Sequence, residues 1–251
     1  MLASAVHMRF ITATSLCRLS RASTAFSTSK HVVASSANAA AAQSSQSQSQ
    51  EAHTHPHPPS YAHSPFAALG LHPGLVEGLA LEHSITEPTS VQRAVLPRAL
   101  AGESLILAAA TGSGKTMAYT LPVLQRLVQQ EAQDGFRRRP KKPRALVLVP
   151  TRELAVQVLA AVKSMSHRDG CRVASCALLG GEQYSAQKTR LAAPRGIDVV
   201  VATPGRLLQH CDKGHASLGD VTAGAFCLYW VHCLCCLCCL YLHIHSHSRT
   251  H

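Results

Sequence analysis

Short apolar runs alternate with helical patterns through the middle of the chain. Four runs are mainly apolar over the length of a typical strand, at residues 105–109, 145–149, 172–179 and 198–202. A helical pattern follows each run, at residues 116–130, 151–165, 182–191 and from 204 onward. Strands that are apolar on both faces and alternate with helices are typical of a parallel sheet covered by helices. The pattern therefore predicts an α/β fold with right-handed crossovers, whose ligands bind at the carboxyl ends of the strands.

Composition divides the 251 residues into a predicted domain, 66–220, and three flanking regions. Residues 1–42 are rich in alanine and serine, carry arginines and contain no acidic residue, as in an organelle transit peptide. We expect them to form a disordered leader for import into the mitochondrion, with the chloroplast as the alternative and the nucleus or cytoplasm less expected. Residues 43–65 are a low-complexity linker of glutamine, serine, histidine and proline. Residues 221–251 are an apolar tail rich in cysteine and histidine.

The net charge of the chain is positive. Its 24 lysines and arginines against 13 acidic residues give +11, which argues against an acidic-tail or cation-buffering role and favours an anionic partner, a nucleotide or nucleic acid. Six of the basic residues lie in the run 137–144. We favour a solvated surface loop for this run, with RNA contact and a nuclear signal as the alternatives.

A glycine-rich turn joins the first predicted strand to its helix. Gly112 and Gly114 let the backbone curl so that its N–H groups point at a phosphate, and the helix N-terminus near Lys115 favours negative charge there. The Lys115 ammonium suits the β- and γ-phosphates, and the Thr116 hydroxyl suits Mg²⁺. The pattern G-x-x-x-x-G-K-[ST] is met except at its first position, which is Ala109. The sequence predicts a nucleotide-binding loop formed by Ala109, Ala110, Thr111, Gly112, Ser113, Gly114, Lys115 and Thr116.

The loop sequence AATGSGKT is the form found in superfamily 2 helicases, and the chain closely resembles the DEAD-box ATP-dependent RNA helicase family. The resemblance implies a P-loop, RecA-like domain that binds ATP and Mg²⁺. Residues 66–92 look like the Q motif of the family, with Phe66 as its upstream aromatic and Gln92 as its glutamine. A glutamine carboxamide matches the N6 donor and N7 acceptor of adenine, and an aromatic ring can stack on the base. Ser84 stands where the family usually has glycine.

Three further segments look like RNA-binding motifs of the family, and each follows a predicted strand. Their residues are Pro150, Thr151, Arg152, Gly180, Gly181, Thr203, Pro204, Gly205 and Arg206. In the family these groups hold the sugar-phosphate backbone, for which threonine hydroxyls, helix N-termini and arginine are well suited. The resemblance therefore implies RNA binding that is independent of sequence and steeply dependent on salt.

The acidic residues that the family uses for hydrolysis have no counterpart in this sequence. In the family, the next strand ends in Asp-Glu-Ala-Asp, whose first Asp positions Mg²⁺ through a water and whose Glu acts on the attacking water. No Asp or Glu occurs after Asp220, so we predict no catalytic residue. The second RecA-like domain, which supplies arginines to the transition state in the family, is also unmatched. We expect a truncated and catalytically incomplete chain.

The tail from residue 221 allows three interpretations. Residues 226–244 are apolar enough to suggest a membrane helix, although His232 and His243 interrupt them. Six of the ten cysteines lie within 227–239, but their spacing is not that of a separate zinc site. We favour the third interpretation, a translated intron or altered reading frame, over a membrane anchor or a metal site.

The sequence leads to one principal hypothesis and two alternatives. The principal hypothesis is the N-terminal, RecA-like domain of a DEAD-box ATP-dependent RNA helicase, which binds ATP and RNA and which, in an intact protein, unwinds or remodels RNA. The alternatives are a non-catalytic ATP- and RNA-binding short isoform and a gene-model artefact from intron read-through.

Overall fold

A computed structural model of the chain describes residues 63–134, 138–168 and 171–228, together with two short strands in the leader. The strands are β1 (His7–Phe10), β2 (His31–Val33), β3 (Ile106–Ala108), β4 (Ala145–Leu148), β5 (His167–Arg168), β6 (Cys171–Arg172), β7 (Ser175–Leu178), β8 (Val199–Ala202) and β9 (Ala223–Leu228). The helices are α1 (Pro65–Ala68), α2 (Pro73–His83), α3 (Ser90–Leu100), α4 (Lys115–Asp134), α5 (Arg152–Met165), α6 (Tyr184–Leu191) and α7 (Pro204–Asp212).

The main sheet has seven described strands in the order β2-β3-β1-β9-β4-β8-β7, and β5 and β6 form a separate two-stranded sheet. Strands β9, β4, β8 and β7 pair in parallel, and β2 pairs in parallel with β3. Strand β1 is antiparallel to both β3 and β9, so β3 runs in the same direction as β9. The carboxyl ends of the strands other than β1 therefore lie at one edge of the sheet.

The core lies on both faces of this sheet. In β4, Val147 faces a cluster that includes residues of α1 to α5, whereas Leu146 and Leu148 face a second cluster with residues of α6 and α7. In β8 the side chains alternate in the same way. Successive side chains of a strand point to opposite faces, so strands that are apolar throughout need a helical layer on each side. The predicted α/β architecture is confirmed.

The predicted strands and helices correspond to β3, β4, β7 and β8 and to α4, α5, α6 and α7. The third strand differs, because residues 172–179 divide into the end of β6 and the four residues of β7. Helices α2 and α3 have no counterpart in the predicted pattern. Each begins with a recognisable cap: Pro73 follows the capping residue His72, and Thr89 and Gln92 form a capping box.

The sheet continues past residue 220, where the sequence analysis ends the domain. Strand β9 pairs with β4, and its Ala225 and Cys227 are buried in the core. A strand inside a sheet that is covered on both faces needs only small or apolar side chains, and β9 has them. The change in composition at residue 221 therefore does not mark the end of the fold. The interpretations of the tail beyond Leu228 concern residues outside the described ones. None of the helices in the described part of the chain is long and apolar enough to span a membrane.

The leader contributes β1 and β2 to the sheet, which departs from the disordered leader that composition predicts. Strand β1 fills the position between β3 and β9, and β2 lies at the outer edge of β3. Strand pairing uses backbone N–H and C=O groups, so a segment without a clear apolar alternation can still add to an open edge. The other residues of the leader and linker up to residue 62 lie outside the described ones.

Candidate functional site

The glycine-rich loop lies between the carboxyl end of β3 and the first residue of α4, Lys115. The Lys115 ammonium folds back across the loop and donates hydrogen bonds to the carbonyl oxygens of Ala109, at 3.0 Å, and of Ala110. The Ser113 hydroxyl also donates to the Ala110 carbonyl, at 2.8 Å. Partial burial lowers the pKa of Lys115. The loop thus holds a cation at a helix N-terminus, as a phosphate site requires.

The Q-motif glutamine is bound to this loop. Gln92 is 2% exposed, and its Nε2 donates to the Gly114 carbonyl at 3.1 Å. Its Oε1 accepts from the Thr89 N–H at 3.0 Å, and the Thr89 hydroxyl donates to the Ser113 carbonyl at 2.9 Å. The start of α3 and the phosphate loop are therefore one hydrogen-bonded unit. The sequence places Thr89 within the segment that looks like the Q motif, but Thr89 was not predicted as a site residue, although the Thr-x-x-Gln spacing of a capping box was a usable signal.

Glycine is required at position 114 for this close approach. Gly114 has φ +82°, and a Cβ atom there would lie 2.6 Å from Gln92 Nε2. The carboxamide of Gln92 retains one further donor and one further acceptor position. Because Gln92 is buried, little of this donor position or this acceptor position is exposed, so the pairing of Gln92 with adenine stays a prediction.

Phe66 does not lie at an exposed surface. Its ring is 0% exposed and packs in the core. A base can stack only on a free ring face, so in this structure the residue contributes packing, and the stacking role predicted for it has no surface available.

Ser84 shows why the family usually has glycine at this position. It ends α2 with φ 52° and ψ 32°, in the left-handed region. Glycine adopts this conformation without the steric cost that a side chain brings.

The three predicted RNA-binding segments meet at the same edge as the phosphate loop, because they follow the carboxyl ends of β4, β7 and β8. Two of them are in direct contact. Gly181 has φ +76°, and a Cβ atom there would lie 2.6 Å from Nη1 of Arg152. The glycine after β7 therefore makes room for the arginine that begins α5. Pro150 is half-buried, and Gly180 leads into the turn.

The two threonines at the helix N-termini differ in their hydrogen bonding. The Thr151 hydroxyl accepts from the Leu154 N–H at 3.2 Å and so caps α5. Thr203 precedes α7 and makes no side-chain capping bond. Pro204 has no N–H of its own, and Gly205 has open space around its Cα. The start of α7 is consequently the more open of the two for an anion.

The basic run 137–144 differs from the solvated loop expected for it. Arg144 is buried and its Nη2 and Nε lie 2.6 and 2.8 Å from Oδ1 of Asp198, which is buried too. Arg138 Nε lies 2.6 Å from the other oxygen of the same carboxylate. Arg139 pairs with Asp220 at 2.5 Å. Three of the run's cations thus stabilise the fold, which sequence spacing did not reveal because their acidic partners are distant in the chain.

The carboxyl end of β9 approaches the phosphate loop. Cys227 lies close enough to Tyr119 of α4 and to Lys115 for both groups to influence the pKa of its thiol. Burial raises the pKa of the Cys227 thiol to about 11, so the group is neutral at physiological pH. The sequence places no carboxylate in this strand or after it, at the position where the resemblance implies an acidic pair.

Comparison with known proteins agrees with the geometry. The family model described as "DEAD/DEAH box helicase" matches residues 89–223, more than half of the chain. The chain is 40% identical over 156 residues to "DEAD-box ATP-dependent RNA helicase 39" of Arabidopsis thaliana, covering 62% of this chain and 24% of that protein. It is 43% identical over 156 residues to "DEAD-box ATP-dependent RNA helicase 3B, chloroplastic" of Zea mays, covering 62% and 20%.

The chain spans about a quarter or less of the length of these relatives. The matched region runs from the threonine that contacts the phosphate loop to the first residue of β9, and so includes the loop and the three segments at the sheet edge. The chain therefore belongs to the DEAD/DEAH box helicase family.

Proposed function

We propose that this chain binds ATP with Mg²⁺ and the backbone of RNA, as the N-terminal RecA-like domain of an ATP-dependent RNA helicase. The observation that carries the proposal is the hydrogen-bonded unit of Gln92, Thr89 and the phosphate loop. It lies at the same sheet edge as the three RNA-binding segments. A nucleotide and an RNA strand could therefore bind to one connected surface.

The loop supports ATP binding through groups that are already in place. Lys115 now donates to backbone carbonyls, and triphosphate oxygens are stronger acceptors for its ammonium because they are charged. The backbone N–H groups at the start of α4 are suited to the same phosphates. Thr116 lies in the first turn of α4 and is half-buried, where its hydroxyl would hold the Mg²⁺ that accompanies ATP.

RNA binding follows from the ends of three parallel strands. Arg152, next to Gly181, and Arg206, in the first turn of α7, supply guanidinium groups suited to phosphate oxygens. Helix N-termini behind β4 and β8 add backbone N–H groups. These contacts address the sugar-phosphate backbone, so we expect little preference for base sequence.

The nucleotide proposal is tested by titrating the full chain with a fluorescent ATP analogue in the presence of Mg²⁺. Lys115→Ala should weaken binding at least about tenfold, since it removes a hydrogen bond between charged groups. Lys163→Ala is the matched control, because Lys163 is an exposed lysine near the end of α5. Equal effects of the two substitutions would contradict the assignment of the loop.

The adenine role of Gln92 has its own test. Gln92→Ala should weaken ATP more than GTP if the carboxamide pairs with adenine, since only adenine offers the N6 donor and N7 acceptor. An equal loss for both nucleotides would show that Gln92 acts only by holding the loop.

Hydrolysis is a separate part of the proposal. The sequence has no Asp or Glu after Asp220, so no carboxylate is available at the end of β9 to act on the attacking water. We expect no RNA-stimulated phosphate release by this chain above that of Lys115→Ala. Turnover clearly above this control would overturn the view that the chain binds ATP without hydrolysing it.

We also propose that residues 1–42 direct import into an organelle, with the mitochondrion ahead of the chloroplast. The acid-free, arginine-containing composition supports the proposal. Two relatives from Zea mays are named as chloroplastic, which supports the chloroplast as the alternative. Import assays with isolated mitochondria and chloroplasts test it, and a chain that enters neither organelle would refute it.

A further inference from the structure

Tyr184, the first residue of α6, is surrounded by cationic and imidazole side chains from α7 and the segment after it. The His210 ring stacks on the Tyr184 ring with centroids 4.2 Å apart and planes 6° apart. The Tyr184 hydroxyl lies 2.8 Å from Nδ1 of His215. The tyrosine ring is thus fixed both by stacking on one face and by a hydrogen bond at its hydroxyl.

Two cations contact this fixed ring. Arg206 Cζ lies 5.4 Å and Lys213 Nζ 4.8 Å from the ring centroid. The His210 ring covers one face of the same tyrosine ring. Cations at this distance are attracted to the face of an aromatic ring. A single side chain of α6 therefore orients one cation from the first turn of α7 and one from just beyond its end.

The surroundings of the cluster are mainly positive. Lys188 of α6, Lys141 and Lys213 all act to lower the pKa of His215, in addition to its desolvation, which is the first cause. Among the described residues, no ion pair joins Arg206 or Lys213 to a carboxylate. The nearby acidic residues are Asp212, which is exposed in α7, and Glu182, which lies 3.9 Å from Arg190. Within the described part of the chain, neither Arg206 nor Lys213 is therefore held by an ion pair to a carboxylate.

We propose that Tyr184 is a positioning residue that holds Arg206 and Lys213 as neighbouring phosphate contacts, so that the RNA-binding surface extends from the start of α7 to its carboxyl end. The inference rests on the proposed RNA binding of Arg206 and adds to it Lys213, which belongs to none of the matched motifs. Arginine and lysine held together on a rigid support suit two successive phosphates, because less side-chain freedom is lost on binding.

The test measures binding of the full chain to a fluorescein-labelled single-stranded oligouridylate, by fluorescence anisotropy between about 50 and 200 mM salt. Tyr184→Leu removes the ring and should weaken binding about three- to tenfold, because each cation–π contact at an exposed site corresponds to about two- to fivefold. Tyr184→Phe keeps the ring and should bind within about twofold of the unmodified chain.

The salt dependence separates positioning from general destabilisation. Lys213→Gln should reduce the slope of log K against log salt by about 0.7, which is the value for one phosphate contact to a single strand. Arg206→Gln should reduce it similarly. Arg195→Gln is the matched control, since Arg195 is exposed and precedes β8, at the opposite edge of the sheet. It should leave the slope unchanged.

The outcomes distinguish this inference from the function on which it rests. If the unmodified chain does not bind the oligouridylate, both the proposed RNA binding and this inference are wrong. If Arg206→Gln weakens binding but Tyr184→Leu and Lys213→Gln behave like Arg195→Gln, the inference is wrong and the RNA proposal stands. Should Tyr184→Leu fail to fold, as judged by circular dichroism and ATP-analogue binding, Lys213→Gln still decides, because an unchanged salt slope in that variant would overturn the inference.

Discussion

The buried carboxylate of Asp198 should be the side chain whose neutralisation destabilises the domain most clearly. It accepts hydrogen bonds from Arg144 Nε and from the Ala174 N–H, each at 2.8 Å, and it forms ion pairs with Arg144 Nη2 and Arg138 Nε, each at 2.6 Å. Asp198→Asn preserves the shape of the side chain and can preserve the bond from Ala174. It removes the negative charge that two arginines share.

The magnitude follows from the burial of Arg144. This residue is 2% exposed, and the other carboxylate near its guanidinium, Glu131, lies 4.0 Å away and is half-exposed. Removing one partner of a buried ion pair costs about 3–5 kcal/mol, because the other charge stays buried. At about 2–4 °C per kcal/mol for a domain of this size, the melting temperature should fall by roughly 6–20 °C. The loss of the ion pair with Arg138 should contribute less to this destabilisation, since the Arg138 side chain can turn toward solvent.

Urea unfolding followed by circular dichroism measures the effect, with Asp220→Asn as the matched control. Asp220 pairs with Arg139, which is more than half exposed, so its loss should cost about 1 kcal/mol or less. The double variant Asp198→Asn with Arg144→Met removes the buried cation as well and should regain part of the loss. If Asp198→Asn costs no more than Asp220→Asn, the buried pair does not stabilise the fold as argued.

The other predictions concern the phosphate loop, the edge of the sheet that is proposed to bind RNA, and the dependence of stability on pH. Gly114→Ala forces a residue with a side chain to adopt φ +82° and places its Cβ 2.6 Å from Gln92 Nε2. The affinity for a fluorescent ATP analogue should therefore fall about tenfold or more. Unchanged affinity would argue against the hydrogen-bonded unit of Gln92, Thr89 and the phosphate loop. Gly181→Ala should displace the Arg152 guanidinium and weaken oligouridylate binding while ATP-analogue affinity stays the same; loss of both would indicate misfolding instead. Burial is the largest cause that lowers the pKa of His210 in the folded chain to about 4. The unfolded chain therefore binds this proton more readily than the folded chain, and the free energy of unfolding should fall as the pH drops from 6.5 toward 4. In His210→Gln, urea unfolding at several pH values should show a smaller fall, and an identical pH dependence would refute the assignment.

Local sequence patterns predicted the layers of the fold and the position of the glycine-rich loop between a strand and a helix. The strands at 145–148 and 199–202 are apolar at every position, which only a sheet covered on both faces explains. The loop from Ala109 to Thr116 has its chemistry in consecutive residues, so spacing alone identified it. These features depend on neighbours in the chain, and the sequence displays such neighbours directly.

The tertiary structure decided which distant side chains meet. It showed Phe66 enclosed in the core, Gln92 bound to the Gly114 carbonyl, and a basic run paired with Asp198 and Asp220. It also placed β9 in the sheet beyond the apparent end of the domain. Residue type gives a charge or a ring, but whether that group is buried, paired or free depends on residues far away in the chain. Those partners are brought together only by packing, so composition and spacing could not identify them.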